Sequence, residues 1–354
     1  MKSNSRYFKR RKIIALDDFL EDVLYNNVYG YYSKNNPFGK AGDFITSPSI
    51  SPLFSEMLAV WIITFWESLG KPNNFNIIEL GPGNGNLTKI LIKAFKNFPK
   101  FQSKLNFYMF EKSKKLKNIQ KLNIQNKNIK WISSFKSLKK GPVLFFGNEF
   151  FDAIPIKQFK RIKNNIYEQY VYLNKKNKVK EKLIKAKKKN ISDIKKFKIL
   201  KKLKFIEFPK LGLNILKPML DKINLEGGGL LLIDYGYVKQ LNLNTLQSIK
   251  SHKQNKLFVN LGDADITSLV NFGILKEFFL QKKLNVENIV TQSFFLKKLG
   301  ILERAEMLSF KMNFKEKTDL FLRLKRLLDP KYMGNLFKVI LAHKKSLKEI
   351  VGFK

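Results

Sequence analysis

The stretch Glu79-Leu80-Gly81-Pro82-Gly83-Asn84-Gly85 sets an acid two positions ahead of three alternating glycines. Glycines in such a turn let backbone approach a ligand with no Cβ between them, and a helix starting there offers its free amides. Spacing then sorts the ligands. A dinucleotide fingerprint needs G-x-G-x-x-G, whereas here Asn86 occupies the place of the third required glycine. No lysine followed by Ser or Thr stands at the P-loop spacing, which disfavours a nucleoside triphosphate. Glu79 is badly placed for a phosphate and well suited to a cation. S-Adenosyl-L-methionine carries a sulfonium and an ammonium and no phosphate, so the turn predicts that cofactor, held by Glu79, Gly81, Pro82, Gly83 and Gly85. Glu111, at the end of a second apolar run, is expected to accept hydrogen bonds from both ribose hydroxyls.

Methyl transfer needs a nucleophile aligned opposite the sulfonium leaving group, so candidate acceptor-binding groups must sit at neighbouring strand ends. Asn148-Glu149-Phe150-Phe151-Asp152 follows an apolar run from 142 to 147 and supplies two carboxylates. Glu149 and Asp152 are the candidate catalytic residues, with Asp43 reaching in from a Gly- and Pro-rich loop at 35–48. The alternative is a strand-to-helix turn whose acids cap amides and whose phenylalanines fill the core. For Asp263 and Asp265, a helix start capped by Asp265 is preferred over a cation site.

The elements that would position these groups form an α/β pattern. From Phe75 onward, short apolar strands alternate with amphipathic helices, as in a doubly wound parallel sheet. Leu87, Ile90, Leu91, Ala94, Phe95 and Phe98 recur at helical spacing directly after the glycine turn. Polar residues follow each strand end, where open α/β sheets bind ligands. Ser51 is expected to cap a helix with Pro52 in its first turn and Gly70 at its end. Residues 1–70 read as a helical lead-in carrying the loop as a lid. Residues 71–159 and 225–354 read as the core, and the lysine-rich stretch 160–224 as an inserted subdomain with a hairpin near Ile166–Leu173.

Composition narrows the classes further. The 354 residues contain no cysteine and two histidines, His252 and His343, which excludes disulfides and thiolate chemistry and leaves no histidine-built metal centre; no metal is expected. The net charge of +40 suggests nucleic acid or an anionic membrane. Yet only seven of the 68 basic residues are arginine, and the lysines spread over the whole length, which reads as solvated surface; no specific nucleic-acid partner is expected. The most apolar run, 57–66, lies between Glu56 and Glu67 and is too short to span a bilayer. A reducing cytoplasm fits the cysteine count, and a homo-oligomer is compatible with it.

Four segments together resemble the MidA family of class I methyltransferases, which includes the mitochondrial complex I assembly-factor protein arginine methyltransferase. They are Gly42-Asp43-Phe44-Ile45-Thr46-Ser47-Pro48, Glu79-Leu80-Gly81-Pro82-Gly83, Asn148 to Pro155, and Gly262-Asp263-Ala264-Asp265-Ile266-Thr267. The resemblance runs from about residue 16 to 344 and is thin across the lysine-rich stretch. It implies a Rossmann-like seven-stranded sheet with an inserted subdomain and a cofactor set extended by Asn148, Thr46 and Ser47. It also implies a protein substrate, an arginine in a respiratory NADH dehydrogenase (complex I) subunit, and a mitochondrial matrix location in a eukaryote against the cytoplasm in a bacterium. An arginine acceptor would be gripped by carboxylates through paired hydrogen bonds, the role given to Glu149, Asp152 and Asp43. The sequence departs from the family pattern at Asn84, Asn86, Ser49, Tyr237, Leu269 and Asn271, which bears on substrate and turnover more than on the cofactor. The rival readings are an RNA or other nucleic-acid methyltransferase and a non-catalytic assembly chaperone that keeps the fold.

Overall fold

Ser51 accepts the Leu53 N–H at 3.3 Å, and Pro52 fills the first turn of helix α1 (Pro52–Ser68), as the sequence predicts. Such a cap is worth about 1 kcal/mol. The helix is apolar nearly all round, with Trp61 and Phe65 stacked at 5.2 Å and fully buried. This is why it reads like a short membrane segment and is instead a core helix. The computed structural model describes residues 4–9, 11–34, 46–344, 347 and 350–354. These residues fall into two units, each with its own core.

The larger unit gathers Ile45–Phe150, Lys217–Gly236 and Phe279–Lys354. After α1 come β1 (Phe75–Leu80), α2 (Asn86–Phe95), β2 (Leu105–Phe110), α3 (Lys114–Ile124), β3 (Lys130–Ile132) and β4 (Val143–Asn148). The chain returns for β5 (Gly228–Tyr237), β6 (Asn285–Val286), α4 (Phe314–Leu328) and β7 (Phe337–His343). Along the main path of a nine-stranded sheet these seven strands follow the order β6-β7-β5-β4-β1-β2-β3. Strands β1 to β5 pair in parallel, and β7 is antiparallel to both β5 and β6. All six residues of β1 are buried, the continuous apolar pattern of a central parallel strand. The connections run one way from β1 to β2 and β3 and the other way to β4 and β5. The carboxyl ends of β1 and β4 therefore form the switch point where such sheets bind ligands.

The second unit gathers Met1–Phe44, Phe151–Leu216 and Tyr237–Phe278. Its main sheet orders the strands Ile13–Ala15, Asn165–Leu173, Lys157–Ile162 and Phe205–Phe208, with Val179–Lys185 paired to Asn165–Leu173 in the expected hairpin. Phe19, Val23, Val171, Val179, Leu261 and Ile266 share one core. Packing thus differs from the chain-order boundaries read in the sequence. The helix Leu16–Tyr25 and residues 237–278 bury their apolar faces with the 160–224 stretch, because none of the three segments has enough apolar surface to close a core alone. Asp265 opens a strand, Asp265–Thr267, that pairs antiparallel with Gln247–Lys250, so it caps no helix. Its register with Ile249 and the burial of all three residues, rather than a cap, account for that motif. His252 sits exposed in the tight turn before Lys253, with positive φ at both Ser251 and His252.

Candidate functional site

At the end of β1 the backbone turns through three left-handed glycines, Gly81, Gly83 and Gly85, at φ of 60°, 57° and 84°. Side chains are disfavoured there by backbone conformation and by space: a Cβ on Gly81 would lie 3.0 Å from the Phe150 ring, and one on Gly85 2.9 Å from Ile124. Gly81 N–H donates to Phe110 O at 3.0 Å, fixing the turn to β2, and Gly85 N–H closes on Pro82 O at 2.8 Å. Gly85 caps α2, so the first amides of that helix face the turn.

Two acids flank it. Glu79 is 3% exposed, and among the described residues its polar partner is the Thr88 hydroxyl, which donates to it from the buried side of α2. Burial pushes its carboxyl up to about 7; the Thr88 bond opposes the shift and the charge of Glu111 adds to it. Glu111, just past β2, is also raised by burial, against the Ser113 N–H (2.7 Å) and the Gln120 amide (3.1 Å). Gln120, fully buried on α3, donates to Gly83 O at 2.8 Å as well, and its Oε1 accepts the Trp131 indole N–H at 2.9 Å. A single amide thus ties the glycine turn to the second acid. Neither Thr88 nor Gln120 was singled out from sequence. The available signal was a polar residue on the buried stripe of an amphipathic helix, as in Leu116, Gln120 and Ile124.

At the end of β4, Glu149 holds a left-handed backbone, φ 51°, and its N–H donates to Ile233 O of β5 at 2.9 Å. A non-glycine residue in that region costs on the order of 1–3 kcal/mol and persists only where the surroundings impose it. Its Oε1 accepts from Ser47 N–H at 3.1 Å and from Asn148 Nδ2 at 3.0 Å. The Asn148 Oδ1 is buried with no hydrogen-bond partner among the described residues. Ser47 is fully buried, and its hydroxyl donates to Gln292 at 3.3 Å, while Thr46 pairs with Ser49 at 3.2 Å. Glu79, the glycine turn, Glu111, Asn148, Glu149 and Ser47 therefore all belong to the larger unit.

Asp152 belongs to the second unit, where it is buried and its carbonyl accepts the Ser268 N–H at 3.2 Å. There Tyr32 donates to Asp265 at 3.3 Å, and burial, followed by the charges of Asp265, Tyr25 and Asp152, holds its phenol well above the usual range. Asp43 lies outside the described residues. Among the described residues, no three metal-ligating side chains gather, and no helix is long and apolar enough to cross a membrane.

A strand, a left-handed glycine turn, a helix and two buried acids held by neutral hydrogen-bond donors make a cradle for a positively charged nucleoside. A family model for S-adenosyl-L-methionine-dependent methyltransferases matches residues 57–290. The chain belongs to this family. Its cofactor is S-adenosyl-L-methionine and its reaction is methyl transfer, as the glycine spacing and Glu79 predicted. Among curated proteins, the mitochondrial protein arginine methyltransferase NDUFAF7 of Xenopus laevis is 30% identical over 92% of this chain and 80% of its own. The human protein of the same name is 27% identical over 92% and 78%. A solved structure from Burkholderia thailandensis, bound to S-adenosyl-homocysteine, superposes with a TM-score of 0.82 at 20% identity, covering 98% of this chain and 92% of the other. That likeness establishes the class I methyltransferase fold expected from the sequence.

Proposed function

We propose that this methyltransferase acts on an arginine side chain of a protein, a subunit of respiratory NADH dehydrogenase, and thereby serves assembly of that complex. The observation that carries the reading is Glu149: an acid forced into left-handed backbone at the end of β4, on the switch point that also holds the glycine turn. The names of the relatives, protein arginine methyltransferases of mitochondria, supply the acceptor class. The reading carries a location with it, the cytoplasm of a bacterium or the mitochondrial matrix of a eukaryote.

The residues present fit S-adenosyl-L-methionine. Glu79 ionises against its positive charge, Glu111 accepts from the ribose hydroxyls, and the amides at Gly81 to Gly85 with Pro82 line the turn. Asn148 Oδ1, buried and without a partner among the described residues, would accept a hydrogen bond from it, and Thr46 and Ser47 are the further residues that would hold it. When bound, this cofactor supplies an electrophilic methyl group and leaves as a neutral thioether. The chain's own task is then positioning and proton handling. Glu149 Oε1 is engaged by Ser47 and Asn148, which fixes the carboxylate that is to orient a guanidinium nitrogen by a charge-assisted hydrogen bond. As the new C–N bond forms, the nitrogen sheds a proton, and the same carboxylate receives it.

The test incubates purified protein and radiolabelled cofactor with extract from cells lacking its gene, then finds the labelled molecule and residue. Label on an arginine of an NADH dehydrogenase subunit is expected. Glu149→Gln should keep cofactor binding and lose turnover by roughly a hundredfold or more. Label on RNA, or a Glu149→Gln protein working at the parental rate, would overturn the assignment.

A further inference from the structure

The helix α4 presents two apolar faces, and only one of them is used by the core. Leu320, Leu324, Leu327 and Leu328 are buried in the larger unit. At about 100° per residue, Phe321, Phe314, Lys325, Leu322, Lys315 and Arg326 fall in one continuous arc on another side, and all six are exposed. Phe314 is 86% and Leu322 61% exposed, and Phe310, four residues ahead of Phe314, is 76% exposed. Exposed single apolar residues are ordinary in a protein surface, but two phenylalanines and a leucine together on one helix face are not.

The charges decide what this face fits. The helix has two acids: Glu316 lies off the arc and accepts the Asn313 N–H at 3.0 Å in a capping box, and Asp319, about 20° beyond Arg326 at the arc's edge, pairs with Arg323 at 2.7 Å. The arc thus combines phenylalanine and leucine with Lys315, Lys325 and Arg326, and the one carboxylate at its edge is already paired with Arg323. A second copy docked about a two-fold axis would set those cations against their own counterparts. Phe314 projects almost wholly into solvent, as a side chain does that inserts into a soft layer. We propose that this face of α4 docks on an anionic lipid surface, its phenylalanines entering the headgroup boundary and its cations meeting the lipid phosphates. The helix lies on the bilayer and does not span it.

The experiment uses the full chain and vesicles of phosphatidylcholine alone or with about one-third phosphatidylglycerol, read by co-sedimentation across a salt series. Binding to the anionic vesicles alone, weakening with salt, is expected. The pair Phe314→Ser and Phe321→Ser should lower partitioning about tenfold or more while cofactor binding by calorimetry and the melting temperature hold. A Phe314→Trp protein should show blue-shifted emission on anionic vesicles. No vesicle binding would assign the face to a protein and overturn the proposal. Undiminished binding of the double variant would reduce it to general lysine adsorption and overturn it equally. So would unshifted emission from the Phe314→Trp protein, or a parental dimer that the double variant converts to monomer.

Discussion

Glu79 and Glu168 are both buried glutamates, one in each unit, and the fold treats them oppositely. Glu168 is met by Lys157 at 2.6 Å and Asn190 at 2.7 Å, and Lys157 also reaches Asp17 at 2.8 Å. Burial alone would lower the Lys157 ammonium, but the carboxylates of Asp17 and Glu168 outweigh it and raise its pKa. Glu79 has a hydroxyl and, among the described residues, no cation, with Glu111 close enough to make matters worse. Burying a carboxylate is costly in both places, and only in the second unit does the fold supply the countercharge. The acid in the second unit is thus part of the architecture. On the proposed reading, the acid at the glycine turn is kept for a cation that arrives with the cofactor.

That contrast breaks most visibly by neutralising each acid in turn. Glu79→Gln should weaken cofactor binding by roughly a hundredfold and leave the melting temperature equal or higher, because a desolvated acid has gone. Glu168→Gln should cost about 3 kcal/mol of stability by stripping a buried lysine of a partner, with cofactor affinity of the folded protein unchanged. Calorimetry and denaturant melts read both quantities, and two variants with the same pattern would erase the distinction.

A smaller effect sharpens it through pH. The folded protein holds the Glu79 proton up to about 7, against an ordinary value of 4.5. The stabilisation this gives is fully present below about 4.5 and lost as pH rises through about 7. Cofactor binding runs the other way, since a cation favours the ionised acid. Affinity should rise between pH 6 and 8 by about tenfold, with protons released on binding below neutrality. A flat profile, or one unchanged by Glu79→Gln, would show that Glu79 does not face the cationic ligand.

How much of this was legible beforehand depended on the range of the interaction. The glycine turn, its strand and helix and the Ser51 cap are local, and period and punctuation announce them. The second unit is not local: the helix Leu16–Tyr25 and Ile266 reach one core from segments some 240 residues apart, and no periodicity in either names the other. The Asp265 motif failed for a related reason, because pairing with Gln247–Lys250 overrode a local cap signal. Two departures from the family pattern also proved to be one. Tyr237 and Asn271 hydrogen-bond each other through their side chains, so the two positions act as a unit.

The least conspicuous residue in the sequence gives the finest test of how the cradle is held. Gln120 touches the glycine turn, Glu111 and Trp131 at once, and the indole N–H fixes which end of its amide points at the acid. Gln120→Leu keeps the volume and removes both donors, so Glu111 should rise further in pKa and cofactor affinity should fall about tenfold, with the pH dependence of binding displaced upward. Trp131→Phe leaves the amide free to turn and should cost only about threefold, shifting the pH profile in the same direction. If both variants lose affinity with unmoved profiles, Gln120 serves packing alone. A displaced profile instead makes it a positioning residue that acts through Glu111, by which α3 helps set the charge state of the pocket.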